Sequence, residues 1–213
     1  MKMLRFATLA LSATLFVASP AIDGIFSPAY AHANEEIKSA TALVDQLGQE
    51  AVKLLSDQEL DESKKREKFS VLLERDFDMR LIGRFVLGKH WRKASKAEQE
   101  EYLDLFQRYI VNTYQKRIGE YSGENLKILK SRSINKKEEI VNSQILRPNG
   151  PPVKLDWRVR RKKSGELKIV DIIVENVSMA LTHREEFSAV ISSNGGKVSG
   201  LISKLKTHIE GKS

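Results

Sequence analysis

An imidazole is the side chain best matched to proton transfer near neutral pH, so the four histidines are where catalysis would first be sought. His32 and His208 lie towards the chain ends, which leaves His90 and His183 as candidate general bases. They belong to separate segments. Neither stands in an H-E-x-x-H spacing, and no nucleophile motif or Gly-rich phosphate loop accompanies them. Cysteine is absent, which excludes thiolate catalysis, cysteine metal sites and disulfides. Asp156 and Asp171 interrupt otherwise apolar runs, and a buried carboxylate without a partner is costly. Arg80 and Arg84, beside Asp78, are the expected partners for one of these aspartates. That role is structural. No catalytic residue, metal or cofactor is assigned, and the chain is not expected to be an enzyme.

The first half of the chain reads as helices. Ile37, Ala40, Val44, Leu47, Ala51 and Leu54 recur at three- and four-residue steps and make one apolar stripe. A second helix is expected over 64–76, with Phe69 and Leu72 or Leu73 inward. A third covers 78–87 and stops at Gly88. Ser95-Lys96-Ala97-Glu98 is a capping box. It opens a long helix whose face carries Leu103, Phe106, Ile110, Thr113, Arg117 and Tyr121, ending at Gly123.

The period then changes to two. Residues 126–131 and 138–147 read as extended runs, and the Pro/Gly-rich 148–152 as a hairpin loop. Val153, Leu155, Trp157 and Val159 share one face of a strand, opposite Lys154, Asp156, Arg158 and Arg160. After a turn at 163–166, residues 167–175 are apolar on both faces, as a covered strand should be. Thr182-His183-Arg184-Glu185 reads as the start of another helix, broken at Asn194-Gly195-Gly196 and followed by an amphipathic helix through Val198, Leu201, Ile202, Leu205 and Ile209. Helices, a meander of about four antiparallel strands, then helices: the class is α+β, with helices against one face of a curved sheet.

The 213 residues suit a single domain. A hydrophobic fraction of 41% and a charged fraction of 30% are those of an ordinary globular chain. The N-terminus stands apart. Lys2 and Arg5 precede an apolar stretch of 13 residues, Phe6 to Ala18, too short to span a bilayer, and Ala29-Tyr30-Ala31 fits a signal peptidase. A signal peptide over 1–33, cleaved near Ala31 or Ala33, and a single domain over 34–213 are expected.

The net charge of +8 is unevenly spread: residues 127–168 carry thirteen Lys or Arg against four Asp or Glu. The basic character therefore falls on the sheet, either as a solvated face that discourages edge aggregation or as a docking face for an acidic partner or headgroup. Nucleic acid is not expected. Trp157, the aromatic of the basic strand, faces away from the cations, whereas base-stacking platforms combine the two.

Four ordered stretches resemble one family: 83–92 (GRFVLGKHWR); 109–121 (YIVNTYQKRIGEY); Asp156-Trp157-Arg158 continuing through 168–175 (KIVDIIVE); and Val177-Ser178-Met179 with Arg184-Glu185-Glu186-Phe187 and Asn194-Gly195-Gly196. Together they are similar to the MlaC-type proteins, also described as toluene-tolerance or organic-solvent-resistance proteins. His183 departs from the pattern, where many relatives would have glutamine. The resemblance implies an NTF2/cystatin-like sheet and a periplasmic phospholipid carrier of a Gram-negative cell. It would act as a monomer between the outer and inner membranes and maintain outer-membrane lipid asymmetry. The implied partners are an inner-membrane ABC transporter with an MCE-domain subunit and an outer-membrane lipoprotein–porin complex. Acyl chains would be held between sheet and helices, with the headgroup outside.

A carrier needs an apolar pocket and no catalytic group. The expected walls are Leu81, Phe85, Val86 and Trp91 from the third helix and its exit, and Phe106 and Ile110 from the long helix. Leu155 and Trp157 come from the meander, Ile172 and Val174 from the covered strand, and Met179 follows it. Periodicity shows only that these face inward, which plain core residues do too. Arg92, Lys93, Lys154, Arg158 and Arg160 are the expected docking residues. The readings set against a carrier are a partner-binding adaptor without lipid and a small enzyme using Asp and His.

Overall fold

Side-chain caps decide where most of the helices begin. The computed structural model describes residues 39–119 and 121–211, with the side chains of 115–119 excepted. The expected signal peptide, Ile37 and the side chain of Arg117 lie outside the described residues. The Ser39 hydroxyl accepts from the Ala42 amide and starts α1 (Ala40–Ser56). Asp61 accepts from Lys64 to start α2 (Glu62–Asp76), and Asp78 accepts from Leu81 to start α3 (Met79–Leu87). Gly88 ends α3 at φ 56°, ψ −128°, a conformation closed to side chains with a Cβ. A 3-10 turn (Gly88–Arg92) leads to the capping box. There the Ser95 amide donates to Glu98 at 2.8 Å, the Glu98 amide donates to Ser95 Oγ at 3.2 Å, and α4 (Lys96–Gly119) follows.

α4 stops at Gly119, short of the expected Gly123. Gly123 belongs instead to the next turn, at φ 104°, where the Ser122 amide and hydroxyl both donate to Glu124. The strands are β1 (Asn125–Asn135), β2 (Glu138–Leu146), β3 (Val153–Arg161), β4 (Leu167–Val174) and a two-residue β5 (Val177–Ser178), antiparallel in the order β1-β2-β3-β4-β5. The fold is α+β as expected, with β5 an addition to the meander. Bulges in β1 and opposite Arg158/Val159 bend the sheet. The second one matters: it lets Ile169 and Ile172 face the same side although they stand three positions apart.

α5 (Met179–Ser193) begins earlier than the Thr182-x-x-Glu185 pattern suggests. Ser178 is its cap, accepting from the Leu181 amide, and the Thr182 hydroxyl donates back to the Ser178 carbonyl within the first turn. Asp171 reinforces this start from β4, taking Ser178 Oγ–H at 2.5 Å and the Ala180 amide at 3.0 Å. α6 (Val198–Ile209) closes the order. No helix among the described residues is long and apolar enough to cross a membrane.

The interior holds two apolar cores where a domain of this size ordinarily builds one. In one, α3 to α6 pack around Tyr102, Phe106, Phe187, Ile191 and Leu201. In the other, α1 and α2 pack on the sheet around Val44, Val141, Trp157, Val159 and Ile169. β4 touches both layers, contacting α2, α3 and α5, while Phe77 bridges to its edge at Ile169.

Removing the Asp171 carboxylate should unfasten this junction. Asp171→Ala is expected to cost about 1–2 kcal/mol, by loss of a capping bond. In urea denaturation the midpoint should fall while the slope stays unchanged.

Candidate functional site

The residues expected to wall a pocket come from both cores. Val86 and Phe106 are fully buried in the helical core, at 1% and 0% exposure, with Trp91 and Ile110 packed against it. Close fit fixes this packing: a Cβ on Gly83 would lie 2.8 Å from Leu103 Cδ2, and the Tyr102 hydroxyl donates to the Gly83 carbonyl at 2.9 Å. Leu155 and Trp157 are buried in the sheet core, with Ile172 and Val174 half-buried against it. Leu81 and Met179 are half-buried and belong to neither core. Phe85 is 41% exposed and looks outward, with the Arg184 guanidinium 5.0 Å from its ring centre.

Trp157 also carries a polar duty that alternation could not reveal. Its indole N–H donates to Ser143 Oγ at 3.0 Å, and that hydroxyl donates to the Leu155 carbonyl at 2.6 Å, so a fully buried serine is satisfied in the middle of the sheet core.

Clefts open elsewhere. One of about 640 Å³ lies between α4, α5 and α6, lined by Tyr109, Phe187, Val190, Leu201 and Leu205 with Lys204 among the polar residues. Two of about 380 Å³ are polar and border α2. None of the three is lined by any expected wall residue.

The aspartates and arginines pair differently from expectation. Arg80 reaches Glu100 at 2.6 Å on α4, and Arg84 lies over the Trp91 ring at 5.2 Å. Asp171 is occupied by the α5 cap. Asp156 faces away from the apolar core beside Lys154, at 3.3 Å, and its Oδ1 is buried without a hydrogen bond. Arginine reaches a buried aspartate elsewhere: Arg75 holds Asp76 at 2.7 Å and also Glu50 at 2.7 Å. Those two acids hold the Arg75 proton more firmly than usual, although burial opposes them.

The basic sheet face is internally neutralised at the positions expected to dock. Arg158 and Arg160 both close on Glu138, each at 2.6 Å, and Lys154 is shared between Asp156 and Asn176. Glu138 is 3% exposed. Burial alone would raise its pKa, but the hydrogen bonds and charges of the two arginines outweigh this and hold it below 4.5. Arg92 and Lys93 are exposed, and no ion pair engages them among the described residues.

The histidines do not assemble a site. His90 is buried with neither ring nitrogen hydrogen-bonded. Burial, then Lys89 and Lys93, push its pKa below 6.5, which favours the neutral ring. His183 lies between the Tyr114 hydroxyl, 3.2 Å from Nε2, and Glu186, 3.1 Å from Nδ1. No hydrogen bond links the two histidines, and among the described residues no cluster of His, Asp and Glu could hold a metal.

Comparison with known proteins places this geometry. A family model described as "MlaC protein" matches residues 45–207. The intermembrane phospholipid transport system binding protein MlaC of Haemophilus influenzae is 24% identical over 168 residues, covering 74% of this chain and 78% of that one. A phospholipid-binding protein from Ralstonia solanacearum, solved in complex with a phospholipid, superposes with a TM-score of 0.71 at 23% identity, over 82% of this chain and 98% of that one.

The Glu138 clamp makes a pH-dependent prediction. Its carboxyl is depressed in the fold, so its contribution is complete above pH 4.5 and is lost as pH falls through the lower folded value. Glu138→Gln should cost about 1–3 kcal/mol at neutral pH and flatten the acid limb of a stability-versus-pH curve measured by urea denaturation.

Proposed function

The chain belongs to the MlaC family, and from that membership we propose that it is a phospholipid carrier of the periplasm that moves lipid between the two membranes as a monomer. The relatives support the cargo: one is named for intermembrane phospholipid transport, and another was solved with a phospholipid bound. The signal-peptide pattern of residues 1–33 supports the compartment. The implied partners are an inner-membrane ABC transporter carrying an MCE-domain subunit and an outer-membrane lipoprotein–porin complex. The role that fits them is maintenance of outer-membrane lipid asymmetry.

The observation that carries the reading is the division of the interior into two cores that meet along β4. Leu81 on α3 and Met179 at the head of α5 are half-buried and belong to neither core, while Ile172 and Val174 of β4 are half-buried at the margin of the sheet core. Acyl chains would lie along this seam, displacing weak contacts between the layers and leaving each core intact. Val86, Phe106, Leu155 and Trp157 then stand behind the wall as its support. Phe85 marks the outer end of the seam.

A second reading of the site is favoured by the 640 Å³ cleft between α4, α5 and α6, which has an apolar floor. Its volume is below the roughly 1,000 Å³ at the upper end of ordinary ligand sites, which a diacyl lipid requires. The seam is the better candidate because it can widen by parting two layers, whereas the cleft is bounded by helices within one core.

The mature protein purified from its native host should carry diacyl phospholipid, seen as a mass increment in native mass spectrometry and identified by solvent extraction. Val174→Glu should give a folded protein with most of the lipid lost, because an unpaired carboxylate in the seam opposes hydrocarbon. A folded Val174→Glu protein that remains loaded would remove β4 from the site. An empty wild-type protein would favour the adaptor.

A further inference from the structure

Between Met79 and Ala97 the chain carries six Lys or Arg and no Asp or Glu. Glu100 takes Arg80. The other five, Arg84, Lys89, Arg92, Lys93 and Lys96, are exposed, and no ion pair engages them among the described residues. On β3, β4 and the turn between them, by contrast, Lys154, Arg158, Arg160, Lys162 and Lys168 each meet a carboxylate. Uncommitted positive charge therefore gathers on α3, the 3-10 turn and the start of α4, with a second exposed group, Lys127, Lys130, Arg132, Lys136 and Lys137, on β1 and its turn.

Large apolar side chains are exposed beside it. Phe85 is 41% exposed, Leu181 48% and Val177 53%. α3 packs on α5, and Arg184 binds the Phe85 ring from α5 while Leu181 lies one turn before it on the same helix. Arg84 lies over Trp91, which is half-buried. The nearby acids are few: Glu185 is exposed next to Arg184, Glu186 holds His183, and Glu175 accepts the Lys154 amide.

We infer that this face, the outer side of α3, the 3-10 turn and the first turn of α5, docks directly on an anionic phospholipid surface. Exposed aromatic and aliphatic side chains ringed by Lys and Arg are the pattern of interfacial binding, in which apolar groups enter the acyl boundary and cations meet the headgroups. Arginines stacked on Phe85 and Trp91 can stay at headgroup level while the rings go deeper. Each cation here lacks a competing carboxylate, so none must be released before a phosphate is met. Leu81 precedes Phe85 by one turn on the same stripe of α3, so the patch runs into the seam. That continuity rests on the carrier reading; the surface binding does not.

Sedimentation of the full mature protein with phosphatidylcholine vesicles, with and without phosphatidylglycerol, tests this. Binding should require phosphatidylglycerol and weaken with added salt. Trp91 supplies a second signal. It is one of two tryptophans, and Trp157 is buried in the other core, so a blue shift on binding reports the patch. The double variant Val177→Ser/Leu181→Ser and the separate pair Arg92→Glu/Lys93→Glu should each lower vesicle binding by at least about tenfold. Both should keep the wild-type melting profile and any copurified lipid, so a failure of the cargo reading and a failure of this one are told apart. Wild-type protein that ignores anionic vesicles, or folded variants that bind as well as wild type, would overturn the inference. So would association of this face with an acidic protein in the absence of vesicle binding.

Discussion

A diacyl lipid drawn into water exposes about 28 methylenes, worth roughly 0.8 kcal/mol each. The sum, about 22 kcal/mol, exceeds the whole stability of an ordinary domain, about 5–15 kcal/mol. A carrier cannot create its pocket by unfolding. It must keep an apolar interior in two parts that separate at a cost well below the gain from the lipid. Two cores meeting along one strand meet that requirement. Each has its own close-packed centre, Tyr102, Phe106 and Phe187 in one and Val141, Trp157 and Ile169 in the other.

What joins the layers is mostly polar and local. Asp171 grips the head of α5, and Phe77 and Asp78 run beside Ile169. These contacts fix where the layers meet while leaving Leu81, Met179, Ile172 and Val174 half-buried. The ion pairs, by contrast, serve to keep the sheet intact. The Glu138 clamp ties β2 to β3, and the Lys168 amine, bound to the Arg75 carbonyl, ties β4 to the end of α2.

The elements were readable where a single period ran long enough: the stripe of α1, the capping box of α4, the alternation of β3. The start of α5 differs from the expectation because Thr182 and Glu185 have capping-box spacing one turn inside the helix, while the true cap, Ser178, is itself the last residue of β5. Alternation placed Arg158 and Arg160 on the outward face. It could not show that Glu138, some 20 residues earlier, would sit between them, because that depends on strand register. Among the wall residues, inward direction was legible for Val86, Phe106, Leu155 and Trp157. Which of two cores each would join was not, since periodicity carries no information about a partner surface. Phe85 followed the same helical period as Leu81 yet emerges at the surface, while the next two residues, Val86 and Leu87, turn into the helical core.

The position of the hydrocarbon is the central claim, and acyl-chain photocrosslinking tests it most directly. A phospholipid with a diazirine near the end of one chain, loaded into the mature protein and irradiated, should leave adducts on peptides containing Leu81, Ile172, Val174 or Met179. Adducts confined to Val190, Leu201 and Leu205, in the cleft of the helical layer, would contradict the seam and with it the account of why the interior is divided.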